Sequence, residues 1–189
     1  AVAWCVGPRP IPRLDKLDTA GLVAAIDSPS GWQRDMAHMM LLWRDDKSGG
    51  PALERLVETC KRPAGRVQAL CGLDGLGLLR EPMLLRALSD SHPCVRRHAV
   101  RLAESRLAQF PALADAVLRL VDDSDAHVRM QVAFSLGEWD DARAGRALGQ
   151  IALRDSDDQF ITAAVASSAT RHAAEILAVV SGSRESTAA

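Results

Sequence analysis

Apolar residues recur along this chain at helical spacing. Val128, Val132, Ala133 and Leu136 fall on one helix face, as do Val95, Ala99, Leu102 and Ala103, and Val67, Leu70, Cys71 and Leu73. These segments open on Asp, Ser or Pro, at Ser28-Pro29-Ser30, Asp90-Ser91-His92-Pro93, Asp123-Ser124-Asp125 and Asp155-Ser156-Asp157. Such residues cap free amides or suit the positive end of a helix dipole. A second set of helices is predicted between them, at Thr19 to Ile26, Pro51 to Cys60, Pro82 to Leu88, Pro111 to Val121, Arg143 to Leu153 and His172 to Val180. Leu53, Leu56, Val57 and Cys60 follow the i, i+3, i+4, i+7 template, and Leu113, Val117, Leu120 and Val121 follow it within one position. The unit is helix, turn, helix, short turn.

Five stretches can be laid over one another: SPSGWQRDMAHMMLL, KRPAGRVQALCGLDGL, DSHPCVRRHAVRLAE, DSDAHVRMQVAFSLGE and DSDDQFITAAVASSA. The first four carry an arginine in phase, at Arg34, Arg66, Arg96 and Arg129, with a small or branched apolar residue three positions later. The period is about 32 residues, in the range of helical-repeat arrays. One helix pair cannot bury both of its stripes, so the pairs are expected to stack on their neighbours. This predicts an all-α, right-handed α-α superhelix of five to six helix pairs. Residues 1–15 are expected to form an N-terminal extension or linker, 16–180 the repeat domain, and 181–189 a disordered tail.

An acidic turn followed by Val-Arg, an apolar stripe and Leu-Gly, as in VRMQVAFSLGEWDD and VRRHAVRLAE, resembles the HEAT-repeat signature over roughly Asp15 to Val180. The expected fold is therefore a HEAT/ARM-type solenoid. PRLDKLDTAGLVAAIDSPSGWQRDMAHMMLLWRDDK, ALCGLDGLG and DAHVRMQVAFSLGEWDDARAGRAL also resemble the HEAT segment of large exported planctomycete-type proteins. In those, a dehydrogenase-like propeller precedes the repeats and a c-type cytochrome domain follows. That resemblance implies a spacer or docking scaffold in an exported or periplasmic multidomain protein. No Cys-x-x-Cys-His haem attachment motif is present in the chain.

Composition agrees with the helical pattern. Of the residues, 48% are hydrophobic but only 4% aromatic, and Leu, Ala and Val dominate. The net charge of −1 offers a polyanion no global attraction. No apolar run approaches the roughly 20 residues that span a bilayer. The N-terminus lacks the pattern of a signal peptide, so the chain is expected to be soluble. It opens at Ala1 with Trp4, Cys5, Pro8, Pro10 and Pro12, which reads as the continuation of something preceding.

Each candidate chemical feature has a structural reading beside it. The repeat arginines Arg34, Arg66, Arg96 and Arg129 are expected to tie one turn to the next, because a guanidinium has five donors for carbonyls and carboxylates. Arg96, Arg97, His98, Arg101 and Arg106 form a basic stretch that suggests DNA, but acidic neighbours dilute it. His92 and Cys94 are two ligands without a third. Cys60 and Cys71 read as buried thiols rather than a disulfide. Trp32, Trp43 and Trp139 read as core or rim packing, and Met36, Met39 and Met40 as gap-filling. Gly72, Gly75 and Gly77 fall within a helical stretch, without the context of a dinucleotide fingerprint. No catalytic constellation is recognisable, so no catalytic, metal or cofactor residues are assigned. The expectation is a non-catalytic protein-interaction or interdomain scaffold whose partner is a protein or a flanking domain of the same polypeptide, with no nucleic acid and no membrane span. The alternative is a HEAT-like DNA-binding enzyme of the alkylpurine glycosylase type, or a chromophore lyase.

Overall fold

The computed structural model describes residues 12–187. Among them are eleven α-helices, five 3-10 turns and no strand. The chain divides into two compact units that meet in sequence at Leu78 and Leu79.

The first unit holds α1 (Thr19–Ala25), α2 (Gly31–Arg44), α3 (Gly50–Thr59) and α4 (Pro63–Gly75). Helices α1 and α2 form one antiparallel pair, α3 and α4 another, and α2 packs on α4. Leu22, Ile26, Leu41, Leu53, Leu70 and Leu73 are fully buried between them. A 3-10 turn at Leu14–Lys16 precedes α1, and Leu14 is buried. Arg44 donates to Leu17 O at 2.7 Å, which ties this entry segment to the end of α2. Within the expected linker Leu14 is thus buried and Pro12, Arg13 and Asp15 are exposed, while residues 1–11 lie outside the described residues.

The second unit holds α5 (Glu81–Leu88), α6 (Pro93–Ala103), α7 (Pro111–Arg119), α8 (Ala126–Gly137), α9 (Ala142–Arg154), α10 (Gln159–Ser168) and α11 (Ala173–Thr187). One layer runs α6, α8, α10, each helix against the next. On the other side α5 packs on α7, and α9 on α11. The apolar stripes meet between the layers, burying Val95, Ala99, Leu113, Val117, Val128, Val132, Leu136, Leu148 and Ile151. The described residues make five helix pairs and a last helix, α11. That helix continues past Ser181 to Thr187, into the segment expected to be a tail.

Helices begin in two ways. Asp18, Ser30, Asp125, Asp141 and Asp158 accept backbone N–H bonds as N-caps, whereas α3, α4, α5 and α7 place proline in the first two positions and need no side-chain cap. Helix α4 ends at Gly75, so Gly77 lies beyond the helix and not within it as expected. Its φ of +69° is left-handed. Leu78 N donates to Leu73 O at 2.7 Å and Gly77 N to Asp74 O at 2.9 Å, a Schellman closure that a residue with a Cβ would strain. The stripe over Val67, Leu70, Cys71 and Leu73 is also narrower than expected: Leu70 and Leu73 are buried, Val67 and Cys71 only half so.

Candidate interaction surface

The four repeat arginines occupy the same place in successive turns. Each donates through Nη1 to the carbonyl six residues before it: Arg34 to Ser28 O, Arg66 to Cys60 O, Arg96 to Asp90 O and Arg129 to Asp123 O, every one at 2.8 Å. Two of them also reach forward into the following turn with both remaining nitrogens. Arg96 Nε and Nη2 donate to Asp123 Oδ2 and Oδ1 at 2.6 and 2.7 Å. Arg129 does the same to Asp155 Oδ2 and Oδ1 at 2.8 and 2.5 Å. Asp123 therefore sits between two arginines, its carboxylate on one and its carbonyl on the other.

This arrangement is nearly dry. The side chains of Arg96 and Asp123 are 13% and 4% exposed, those of Arg129 and Asp155 9% each. Bonding to Asp123 and Asp155 raises the arginine pKa values further. Burial works against charge on Asp123, but the bonds from Arg96 and from Asp125 N outweigh it and hold its carboxyl below the ordinary range. The sequence assigns Asp90, Asp123 and Asp155, which recur in phase, to helix starts; the structure sets Asp123 and Asp155 against the arginines. In the first unit the corresponding position is Cys60. Its thiol donates to Asp27 Oδ1 at 3.1 Å, and burial, then Asp27, pushes its pKa up. Arg34 Nε is buried there without a hydrogen-bond partner.

The basic stretch of α6 is dispersed by the fold. Arg96 points into the turns, and Arg106 donates to Leu102 O at 2.5 Å. His98 is half-buried, and burial, then Arg97 and Arg101, lowers its pKa. His92 Nδ1 accepts from Cys94 N at 3.2 Å, which makes it the cap of α6. No group of three His, Cys, Asp or Glu among the described residues is placed to hold a metal ion. Cys60 and Cys94 are free thiols.

The tryptophans part company. Trp139 is buried beneath the Arg143 guanidinium, 4.8 Å from the ring centroid. Trp32 and Trp43, expected in the core or its rim, are 56% and 75% exposed on α2. The reason is that Ala37 and Leu41 are the α2 residues buried against its partners, leaving both rings on another face of the helix. Phe134, Phe160 and Leu177 are exposed in the second unit.

The ends of α6, α8 and α10 leave three depressions. Arg97, Asp125 and His127 line the first, of about 300 Å³. His127, Met130, Phe160 and Ile161 line a narrow apolar notch of about 190 Å³. Phe160, Asp157 and Asp158 line the third, an open basin of about 650 Å³.

Residues 81–169 match the family model described as HEAT repeats, beginning at the first residue of α5 and ending just past α10. This stretch is similar to HEAT repeats. The match takes in Arg96, Arg129 and their carboxylate partners. No curated protein matches the chain. No helix among the described residues is long and apolar enough to cross a membrane.

Proposed function

We propose that this HEAT-repeat chain is a non-catalytic interaction scaffold that binds a protein partner or a flanking domain of its own polypeptide. The observation that carries this reading is the division of labour among side chains. Arg96, Arg129, Asp123 and Asp155 are spent between turns, while large apolar side chains such as Trp43 and Phe160 face outward. Exposed aromatic residues carry a disproportionate share of binding energy at protein interfaces. The repeat arginines Arg34, Arg66, Arg96 and Arg129 serve the framework in this proposal and do not touch the partner.

In its finer form the scaffold separates a dehydrogenase-like propeller from a c-type cytochrome domain in an exported protein. Its support is the resemblance at Gly31-Trp32-x-Arg34-Asp35 and at Leu136-Gly137-Glu138-Trp139-Asp140. The test is capture by the immobilised full chain of separately expressed candidate flanking domains and of proteins from extract, with sheared DNA as competitor. Saturable capture that survives the competitor is expected. Retention that depends on DNA and collapses with ionic strength would replace this reading by a nucleic-acid one.

A further inference from the structure

Helices α2, α4, α6, α8 and α10 share one numbering. The arginine position lies four residues after each N-cap, and in α10, counted from Asp158, it is Thr162. The places two and six beyond it look back to the preceding helix. Gln68 of α4 bonds Asp35 and His38 of α2, and Ser135, fully buried in α8, donates to Glu104 Oε2 at the end of α6 at 2.7 Å. The arginine itself and the places four and eight beyond it look forward. Arg129 reaches Asp155 in the turn before α10, and a Cβ on Gly137 would come within 2.6 Å of Ser168 Cβ.

Two flanks in this scheme stand uncovered. The backward places of α2 hold Met36 and Met40, both half-buried, and Trp32 and Trp43 share that face of the helix at 56% and 75% exposure. The forward places of α10 hold Thr162, Ala166 and Thr170, all exposed. Beside them on α11, Glu175 and Val179 meet α9 at Gly145 and Gly149, while Leu177, two positions from each, lies on the opposite side at 66% exposure. The outer flank of a terminal repeat is ordinarily polar, yet none of these places carries a charge.

We infer that α2 of one copy of this chain stacks on α10 and α11 of a second copy, so that copies join head to tail as successive repeats join within a chain. The joint continues an interface the chain already builds. Met36 and Met40 stand in the places that Ala164 and Ser168 of α10 occupy, buried, against α8. Bulk against small side chains is how the repeats fit elsewhere: Leu42 of α2 fills the space beside Gly75 of α4, and a Cβ there would come within 2.7 Å of it. The polar tie is missing from both sides at once. Arg96 and Arg129 reach forward to a carboxylate, whereas α10 offers Thr162, and the turn before α2 holds Ser28 where the turn before α8 holds Asp123. A neutral flank thus meets a neutral turn, and no guanidinium is buried without a partner. The contact is heterologous, two different surfaces on one chain. It is separate from the surface by which the scaffold reading has the chain hold a different protein.

The experiment is sedimentation velocity of the full chain from micromolar to millimolar concentration. Mass that rises with concentration is expected. Met40→Glu on α2 and Ala166→Glu on α10 should each weaken association by about tenfold or more, because each sets a charge in an apolar joint. Mixed together, the two variants should form heterodimers and grow no further, since each supplies the flank that the other has lost. Trp43→Glu and Leu177→Glu, both at exposed sites, serve if either variant loses its helical circular dichroism. A chain that is monomeric at every concentration overturns the inference, as does a mixture of the two variants that stays monomeric. Unchanged association of Ala166→Glu and Leu177→Glu also overturns it, and would make α2 its own partner. Capture of a flanking domain by Met40→Glu, measured alongside, decides the scaffold reading separately.

Discussion

Asp123 is the residue on which the second unit turns. Its carboxylate accepts both forward bonds from Arg96 and one from Asp125 N, and its carbonyl accepts from Arg129. Asp123→Ala leaves a nearly dry guanidinium without its partner, so a loss of about 3 kcal/mol is expected, whereas an apolar pair in place of both residues should recover most of it. Urea unfolding of the single and double variants measures the difference; an unmoved midpoint for Asp123→Ala would reject the role. Because the folded-state carboxyl pKa is depressed, this contribution is complete above the ordinary carboxylate range and is lost as pH falls through the folded value. The stability gap between the native chain and Asp123→Ala should accordingly shrink below about pH 4, the unperturbed aspartate range. The arginines are legible in the sequence by phase. The carboxylates are equally periodic, yet an aspartate at a helix start already has a capping explanation, and only the coordinates separate Asp123, which faces an arginine, from Asp125, which caps.

At the scale of the element, the two alternating sets of helices are readable from the chain because their stripes and their Pro, Ser and Asp starts agree. What pattern does not disclose is how closely two helices approach. A Cβ at Gly149 of α9 would come within 2.7 Å of Val179 Cβ on α11, closer than real Cβ contacts allow. Gly149→Ala should therefore push α11 outward at a cost of about 1–3 kcal/mol. A lowered melting temperature with earlier amide exchange in α11 is the expected result, and an unchanged melt would show that the two helices yield at no cost. Exposure of Trp32 and Trp43 belongs to the same scale: periodicity says that α2 has an apolar side, but with apolar residues nearly all round it does not say which of them meet a neighbour.

For the molecule as a whole, the meaning of a repeat is that each pair depends on the next. Val132 is fully buried in α8, which contacts α6, α9 and α10. An unpaired charge there costs several kcal/mol, so Val132→Asp should remove protection across α6, α8 and α10 together. Hydrogen exchange resolved along the chain provides the check; protection lost in α8 alone would mean that the HEAT pairs fold independently. The division at Leu78 and Leu79 is a property of this scale too. The repeat pattern runs on either side of it, with Arg66 before the division and Arg96 after it.

The sequence by itself determined the helical class, the alternation of two helix sets and the recurrence of the turns. All of these follow from local chemistry: apolar spacing, caps, and a guanidinium repeated in phase. Tertiary structure alone decided which carboxylates meet the arginines, that Gly77 closes a helix, that Trp139 is covered while Trp43 is not, and that Phe160 stands open beside a notch. The arginine and thiol partners depend on contacts between residues 26 and 33 positions apart, Arg129 with Asp155 and Cys60 with Asp27, whereas the Gly77 closure and the cover of Arg143 over Trp139 are local but fixed only by backbone and side-chain geometry. A stripe says that a side must be buried; only packing names the partner that buries it.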